Sequence, residues 1–189
     1  MVIFFAGFCL MTIELVAGRV IAPFVGASLS TWTSVIGAVL LGITLGNAAG
    51  GWLADRAPKS RVFIPLALVL ASAASGSLPW LVAWIGPRLA MSSLPFSLIS
   101  ALLCGILFFP AAFFLSTISP QIVRRTLPDL ERLGSTVGRL GAWGAAGSIL
   151  GTFVSGFVFL MFFDLTHILF SVSTTLLLLA AAFSLMDRL

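Results

Sequence analysis

Charged residues are scarce in this chain: ten Lys and Arg and six Asp and Glu among 189 residues, eight per cent. A soluble domain of this length does not carry so little charge beside so much apolar surface, so that class is set aside first. Histidine occurs once, at His167, which excludes a metal site or a two-histidine haem built within one chain. The two cysteines, Cys9 and Cys104, both fall inside apolar runs and read as buried packing residues with no redox role. No serine is paired with an identifiable base. No G-x-G-x-x-G follows a strand with an acidic residue downstream, and the glycine-rich runs lie within apolar segments where they cannot cradle phosphate. A stand-alone enzyme, a metal site and a cofactor are therefore not expected. The first apolar run also lacks the basic start of a signal peptide and carries Glu14 and Arg19, so it reads as a retained span.

What is present is hydrophobicity: sixty per cent of the residues, with a mean hydropathy of +1.18. At about 20 residues per crossing, the apolar runs predict six transmembrane helices near 2–23, 30–54, 62–85, 94–118, 138–162 and 166–186. The fold expected is an all-α integral membrane protein with a single six-helix domain. The gaps are short except for a basic cytoplasmic linker at 119–137, where Pro128, Asp129 and Glu131 predict a brief surface helix ended by Gly134. The net charge of +4 does not point to nucleic acid, because the basic residues sit between the apolar runs. Arg56, Lys59, Arg61, Arg124, Arg125, Arg132, Arg139 and Arg188 fall on one side and only Arg88 on the other. Positive residues gather inside, so both termini are expected in the cytoplasm, with the protein in the inner or plasma membrane among its lipids.

Gly42, Gly46 and Gly50 recur every four residues and form a flat stripe for close helix packing. Gly147, Gly151 and Ser155 repeat that spacing in the fifth segment, at an offset of slightly more than half the chain. Three helices followed by three related ones of opposite orientation would be a 3+3 inverted repeat, as in each half of many transporters.

Polar groups within the spans are few. Glu14 lies near the middle of the first span, where a carboxylate is costly and marks a site by default. Two roles fit it, a counter-ion for a cationic substrate or a proton carrier, with a structural hydrogen bond as the plain alternative. Arg19 points about 140° away from Glu14 around the same helix and is a poor partner for it; it either snorkels or serves the site. Thr33, Gly37, Leu40, Thr44 and Asn47 form a weakly polar stripe, which lines a cavity or hydrogen-bonds a neighbouring helix, and Ser148, Thr152 and Ser155 form a similar one. Trp32, Trp80 and Trp84 read as headgroup anchors, and Asp164 with His167 as a solvated turn.

The run Gly51-Trp-Leu-Ala-Asp55-Arg56-Ala-Pro-Lys59-Ser-Arg61 resembles the loop between helices 2 and 3 of the major facilitator superfamily, with Pro58 where a second Gly is usual. The resemblance implies a gating latch of Asp55, Arg56, Lys59 and Arg61. Glu14-Leu-Val-Ala-Gly-Arg19-Val-Ile-Ala-Pro23-Phe-Val-Gly26-Ala-Ser28, the following Thr31-Trp32-Thr33-Ser34, and Gly138-Arg139-Leu140 resemble the membrane part of fused facilitator/spermidine-synthase proteins. Gly147-Ser-Ile-Leu-Gly151-Thr152 continues that likeness, although Ala145-Ala146 stand where an Asn-Thr pair is common. This resemblance implies half of a facilitator-type fold, linked to polyamines.

A facilitator has twelve helices in two halves of like orientation. Two copies of this chain about an axis along the membrane normal would rebuild that layout, so a homodimer or a second half-transporter is the expected partner. The expected function is a half-size transporter moving a small organic cation by alternating access, with Glu14, Arg19, Thr44 and Asn47 as binding residues. A non-transporting anchor that docks a separately encoded synthase through 119–137 is the alternative from another class, and lipid handling a third.

Overall fold

A computed structural model describes residues 1–57, 60–126 and 133–186. The described chain is helical throughout: α1 (Val2–Val25), α2 (Leu29–Arg56), α3 (Phe63–Ala90), α4 (Phe96–Ser116), α5 (Ile118–Thr126), α6 (Leu133–Val154), a π-helical turn (Ser155–Phe159), α7 (Leu160–Phe162) and α8 (Leu165–Met186). Six stretches are long and apolar enough to cross a membrane, α4 joining α5, and α6 joining the π turn and α7. This is the architecture of a multi-pass membrane protein.

The turn between α1 and α2 shows why the chain reverses where it does. Pro23 occupies the last turn of α1, and Gly26 follows at φ 66°, a left-handed conformation that costs a side-chain-bearing residue energy. The Ser28 hydroxyl accepts from the Thr31 amide at 3.3 Å to cap α2, while the Thr31 hydroxyl donates back to the Gly26 carbonyl at 3.0 Å.

Two close helix pairs dominate the packing. On α2, a Cβ at Gly42 would stand 2.8 Å from the Ala112 Cβ and 3.0 Å from the Phe109 carbonyl oxygen. One at Gly46 would land on the Phe113 carbonyl, and one at Gly50 on the Thr117 backbone. On α6, a Cβ at Gly147 would land on the Phe4 carbonyl, and one at Gly151 would stand 2.6 Å from that of Phe8. One turn further, Ser155 donates to the Thr12 hydroxyl at 2.8 Å, and Thr12 donates to the Phe8 carbonyl at 2.9 Å. So α2 seats on α4 and α6 seats on α1, backbone against backbone. Without a hydrophobic drive between helices in lipid, such contact supplies the association energy.

The third pair, α3 with α8, uses hydroxyls. Ser72 donates to the Ser173 carbonyl at 2.7 Å, and Ser173 donates to the Ser72 carbonyl at 3.0 Å. Interhelical hydrogen bonds in membranes average about 0.6 kcal/mol. Ser173→Ala should therefore lower stability by about that amount in a denaturing-detergent titration; a loss above about 2 kcal/mol would mean the pair does more than join two helices.

Several sequence expectations change. Residues 119–126, read as linker, are helical: Pro120 sits in the first turn of α5, where its missing N–H costs nothing. Buried Gln121 donates to the Thr117 carbonyl at 2.9 Å. Gly134, read as the end of a brief surface helix, lies within α6, while Pro128, Asp129 and Glu131 lie outside the described residues. Trp32 is not simply a headgroup anchor: its ring covers Gly18 on α1, 3.0 Å from where a Cβ would be.

One end of the molecule gathers the basic groups. Met1, Ile122, Leu140 and Met186 line a common cavity there, which brings both ends of the described chain together. Arg125 donates to the Ser60 carbonyl and joins the α2–α3 connection to the same end.

Candidate functional site

Toward this basic end, four spans leave a cleft of about 180 Å³ between α1, α2, the α4–α5 junction and α6. Asn47, Ser116, Ser119 and Ser148 supply its polar lining, and Ile3, Gly7 and Leu10 its α1 wall. None of these four polar side chains makes a hydrogen bond within the described residues. An amide and three hydroxyls, all uncommitted, are groups that can donate to or accept from a guest.

Glu14 does not line this cleft, but it continues the cleft's α1 wall. It lies four residues past Leu10 and seven past Gly7, hence on the same helix face and deeper into the span. It is half-buried and has neither an ion pair nor a hydrogen bond among the described residues. Thr44 lies on the corresponding extension of α2, three residues before Asn47 and likewise farther from the basic end. Its hydroxyl, however, is spent on the Leu40 carbonyl at 2.8 Å. Thr152 similarly extends the Ser148 line and donates to the Ser148 carbonyl at 2.8 Å.

Arg19 is not gathered to this face. Its guanidinium donates to the Leu160 carbonyl at 3.3 Å, at the end of the π turn in the fifth span. A π turn leaves its backbone carbonyls out of the α-helical pattern, and a cation in reach offsets that loss. Arg19 thus ties α1 to α7 at the end of the fifth span and is separate from the Glu14 line.

The α2–α3 connection lies apart, at the basic end. Asp55 stands 4.0 Å from Arg124 of α5, with both side chains largely exposed, an arrangement worth at most about 1 kcal/mol. The Arg56 guanidinium lies 4.1 Å from the centre of the Trp52 ring. Arg61 is exposed, and Lys59 lies outside the described residues. At the other end, Arg88 lies 4.3 Å over the Trp84 ring, and His167 in the first turn of α8 pairs with Asp164, just before that helix, at 3.5 Å, both side chains exposed.

Ser116, Ser119 and Gly7 were not singled out from the sequence. The available signal was two serines three apart where α4 meets α5, just after a strongly apolar run, which places both on one helix face.

No protein-family model, no curated protein and no solved structure matches this chain.

Proposed function

We propose that this chain is a half-size secondary transporter of the facilitator kind, which pairs with a second copy and moves a small organic cation, such as a polyamine, by alternating access. The observation that carries the reading is Glu14: a carboxylate within a membrane span, without a protein partner among the described residues, on the wall line of a polar cleft. A carboxylate at that depth is costly unless it is neutralised. A cationic guest or a proton neutralises it, and the unspent groups of Asn47, Ser116 and Ser148 supply neutral hydrogen bonds within the cleft whose α1 wall Glu14 continues.

The 3+3 inverted repeat is part of this proposal, and the packing register supports it. Gly42, Gly46 and Gly50 on α2 meet Phe109, Phe113 and Thr117, while Gly147, Gly151 and Ser155 on the fifth span meet Phe4, Phe8 and Thr12. Moving the first three residues forward by 105 positions and their partners back by 105 gives the second set. Each half therefore lends its middle helix to the first helix of the other, as an exchange of two inverted units requires.

In this reading the weak Asp55–Arg124 pair acts as the gate's latch at the cytoplasmic end. It holds α2 to α5 in one state and is loose enough to release in the other.

The test is uptake of labelled spermidine into proteoliposomes under an imposed gradient. Saturable uptake above protein-free liposomes is expected, and uptake that never exceeds them overturns the transporter reading. Native mass spectrometry from mild detergent should give twice the chain mass of 19.9 kDa. A clean monomer together with cross-linking that finds only monomers in membranes would remove the homodimer.

A further inference from the structure

Ser116, at the end of α4, is only 8 % exposed, yet its hydroxyl has no hydrogen-bond partner among the described residues. Buried serines elsewhere in the chain bond the carbonyl four residues back, as Ser75 does at 2.8 Å and Ser100 at 3.0 Å. No fully enclosed side-chain oxygen among the described residues lacks a partner. The Ser116 hydroxyl therefore opens onto the polar cleft that this residue lines. The backbone of Ser116 is short of a donor too. In a helix its carbonyl takes the N–H four residues on, and that residue is Pro120, which has none. One buried residue thus brings an unspent hydroxyl and a carbonyl without its helical donor to the wall of the cleft. Asn47 of α2, Ser119 of α5 and Ser148 of α6 add three uncommitted side-chain oxygens to the same lining.

Neutral oxygens of this kind suit a cation of low charge. An anion would meet the Ser116 carbonyl and, farther along the wall, the Glu14 carboxylate, and both repel it. Calcium recruits carboxylates, and none lines the cleft. Zinc and its neighbours need imidazole or thiolate, and no group of three His, Cys, Asp or Glu among the described residues could hold a metal ion. That leaves a hard monovalent ion. Carbonyls freed where a membrane helix is interrupted coordinate sodium in transporters, and α4 gives way to α5 at Thr117, next to Ser116. We propose that the cleft binds one sodium ion at Ser116, with Asn47, Ser119 and Ser148 completing its shell directly or through water. The inference rests on the cleft of the transport reading and supplies that reading with its coupling ion.

The experiment is equilibrium binding of radiolabelled sodium to the purified protein in detergent, a measurement that needs no transport. One sodium per chain is expected, with potassium and methylammonium far weaker as competitors. Ser116→Ala keeps the Cβ that meets α2 at Gly46 and breaks no hydrogen bond among the described residues, so the fold should stand. It should weaken sodium about tenfold or more, the loss typical of one bond to a charged group. Pro120→Ala returns an N–H to the Ser116 carbonyl and should weaken sodium as well. Unaltered sodium affinity in either variant overturns the proposal. Methylammonium competing as well as sodium does would also overturn it, by assigning these oxygens to the ammonium head of an organic guest. Sodium binding by a protein that takes up no spermidine would support the site and remove the transport reading. Spermidine uptake by a protein that binds no sodium would do the reverse.

Discussion

Gly147→Ala is expected to be the most damaging single-methyl change in this protein, costing about 3 kcal/mol or more. On an ordinary helix the same substitution would stabilise, by about 0.5–1 kcal/mol, because alanine loses less backbone freedom than glycine. Here overlap decides the sign. The new Cβ would land on the Phe4 carbonyl oxygen, 2.7 Å from its carbon and 3.0 Å from the Phe4 Cα. All three are backbone atoms of α1, which cannot turn aside as a side chain can, so the helices must part. Parting strips α1 from α6 along the whole line from Gly147 to the Ser155–Thr12 hydrogen bond.

Gly86 marks the contrast. Its Cβ would meet the Phe24 ring at 2.6 Å, and a ring can swing, so Gly86→Ala should be far milder. Gly105, with nothing within 4 Å, is the control and should tolerate alanine or gain slightly. The measurement is unfolding by denaturing detergent, followed by tryptophan fluorescence. A Gly147→Ala protein that unfolds with the wild type would refute the close approach of α1 and α6.

Glu14→Gln is expected to abolish gradient-driven uptake while leaving the fold intact. Glutamine keeps the length and hydrogen-bonding ends of glutamate and removes only the charge. Taking one partner from a buried charge pair typically costs about 3 kcal/mol or more, which is a hundredfold or greater loss of affinity for the cation. If Glu14 instead carries the coupled proton, the variant loses coupling and accumulation fails as well. Stability should hold or rise, because Glu14 has no partner to lose among the described residues and a neutral amide enters lipid more readily than a carboxylate. That pairing of outcomes separates function from architecture: a structural Glu14 would show reduced stability, and full uptake by the variant would remove Glu14 from the mechanism. Glu14→Asp, shorter by one methylene, should retain part of the activity.

Much of the fold was legible in the sequence, for a plain physical reason. A membrane span must be apolar over its whole length and satisfy its own backbone, so hydropathy alone gives the six segments to within a few residues at most ends. The exception was instructive. Residues 119–126 carry Ser119, Pro120, Gln121, Arg124 and Arg125, and their polarity read as linker. Yet the helix resumes there, since Pro120 falls in a first turn that needs no N–H and Gln121 finds the Thr117 carbonyl. Polarity marks where the bilayer ends; it does not mark where a helix ends.

The candidate site divides along a similar line. Glu14 stood out from the sequence because any carboxylate at that depth does, and Asn47 because it ends a polar stripe. Ser116 and Ser119 did not, because hydroxyls are common in membrane helices and most of them bond their own helix four residues back, as Thr44 and Thr152 do here. For Arg19 the sequence left open a choice between snorkelling and serving the site, and the structure adds a contact that neither reading contained. Its partner is a backbone carbonyl at a π turn in another span, and no pattern of side chains announces a π turn.

By itself, then, the sequence determined the solvent this protein occupies, the number of its helices and the end that collects its arginines. These follow from transfer free energies, which are properties of residues taken singly or in short windows. The glycine period belongs to the same class, since spacing along one helix fixes which face is flat. Tertiary structure alone decided which helix fills each flat face: α4 against α2, α1 against α6, and the Ser72–Ser173 pair between α3 and α8. It alone left the Asn47 amide and the serines of the cleft uncommitted. In lipid every apolar face is an equally good neighbour, so the choice among partners rests on shape and hydrogen bonds between segments far apart in the chain.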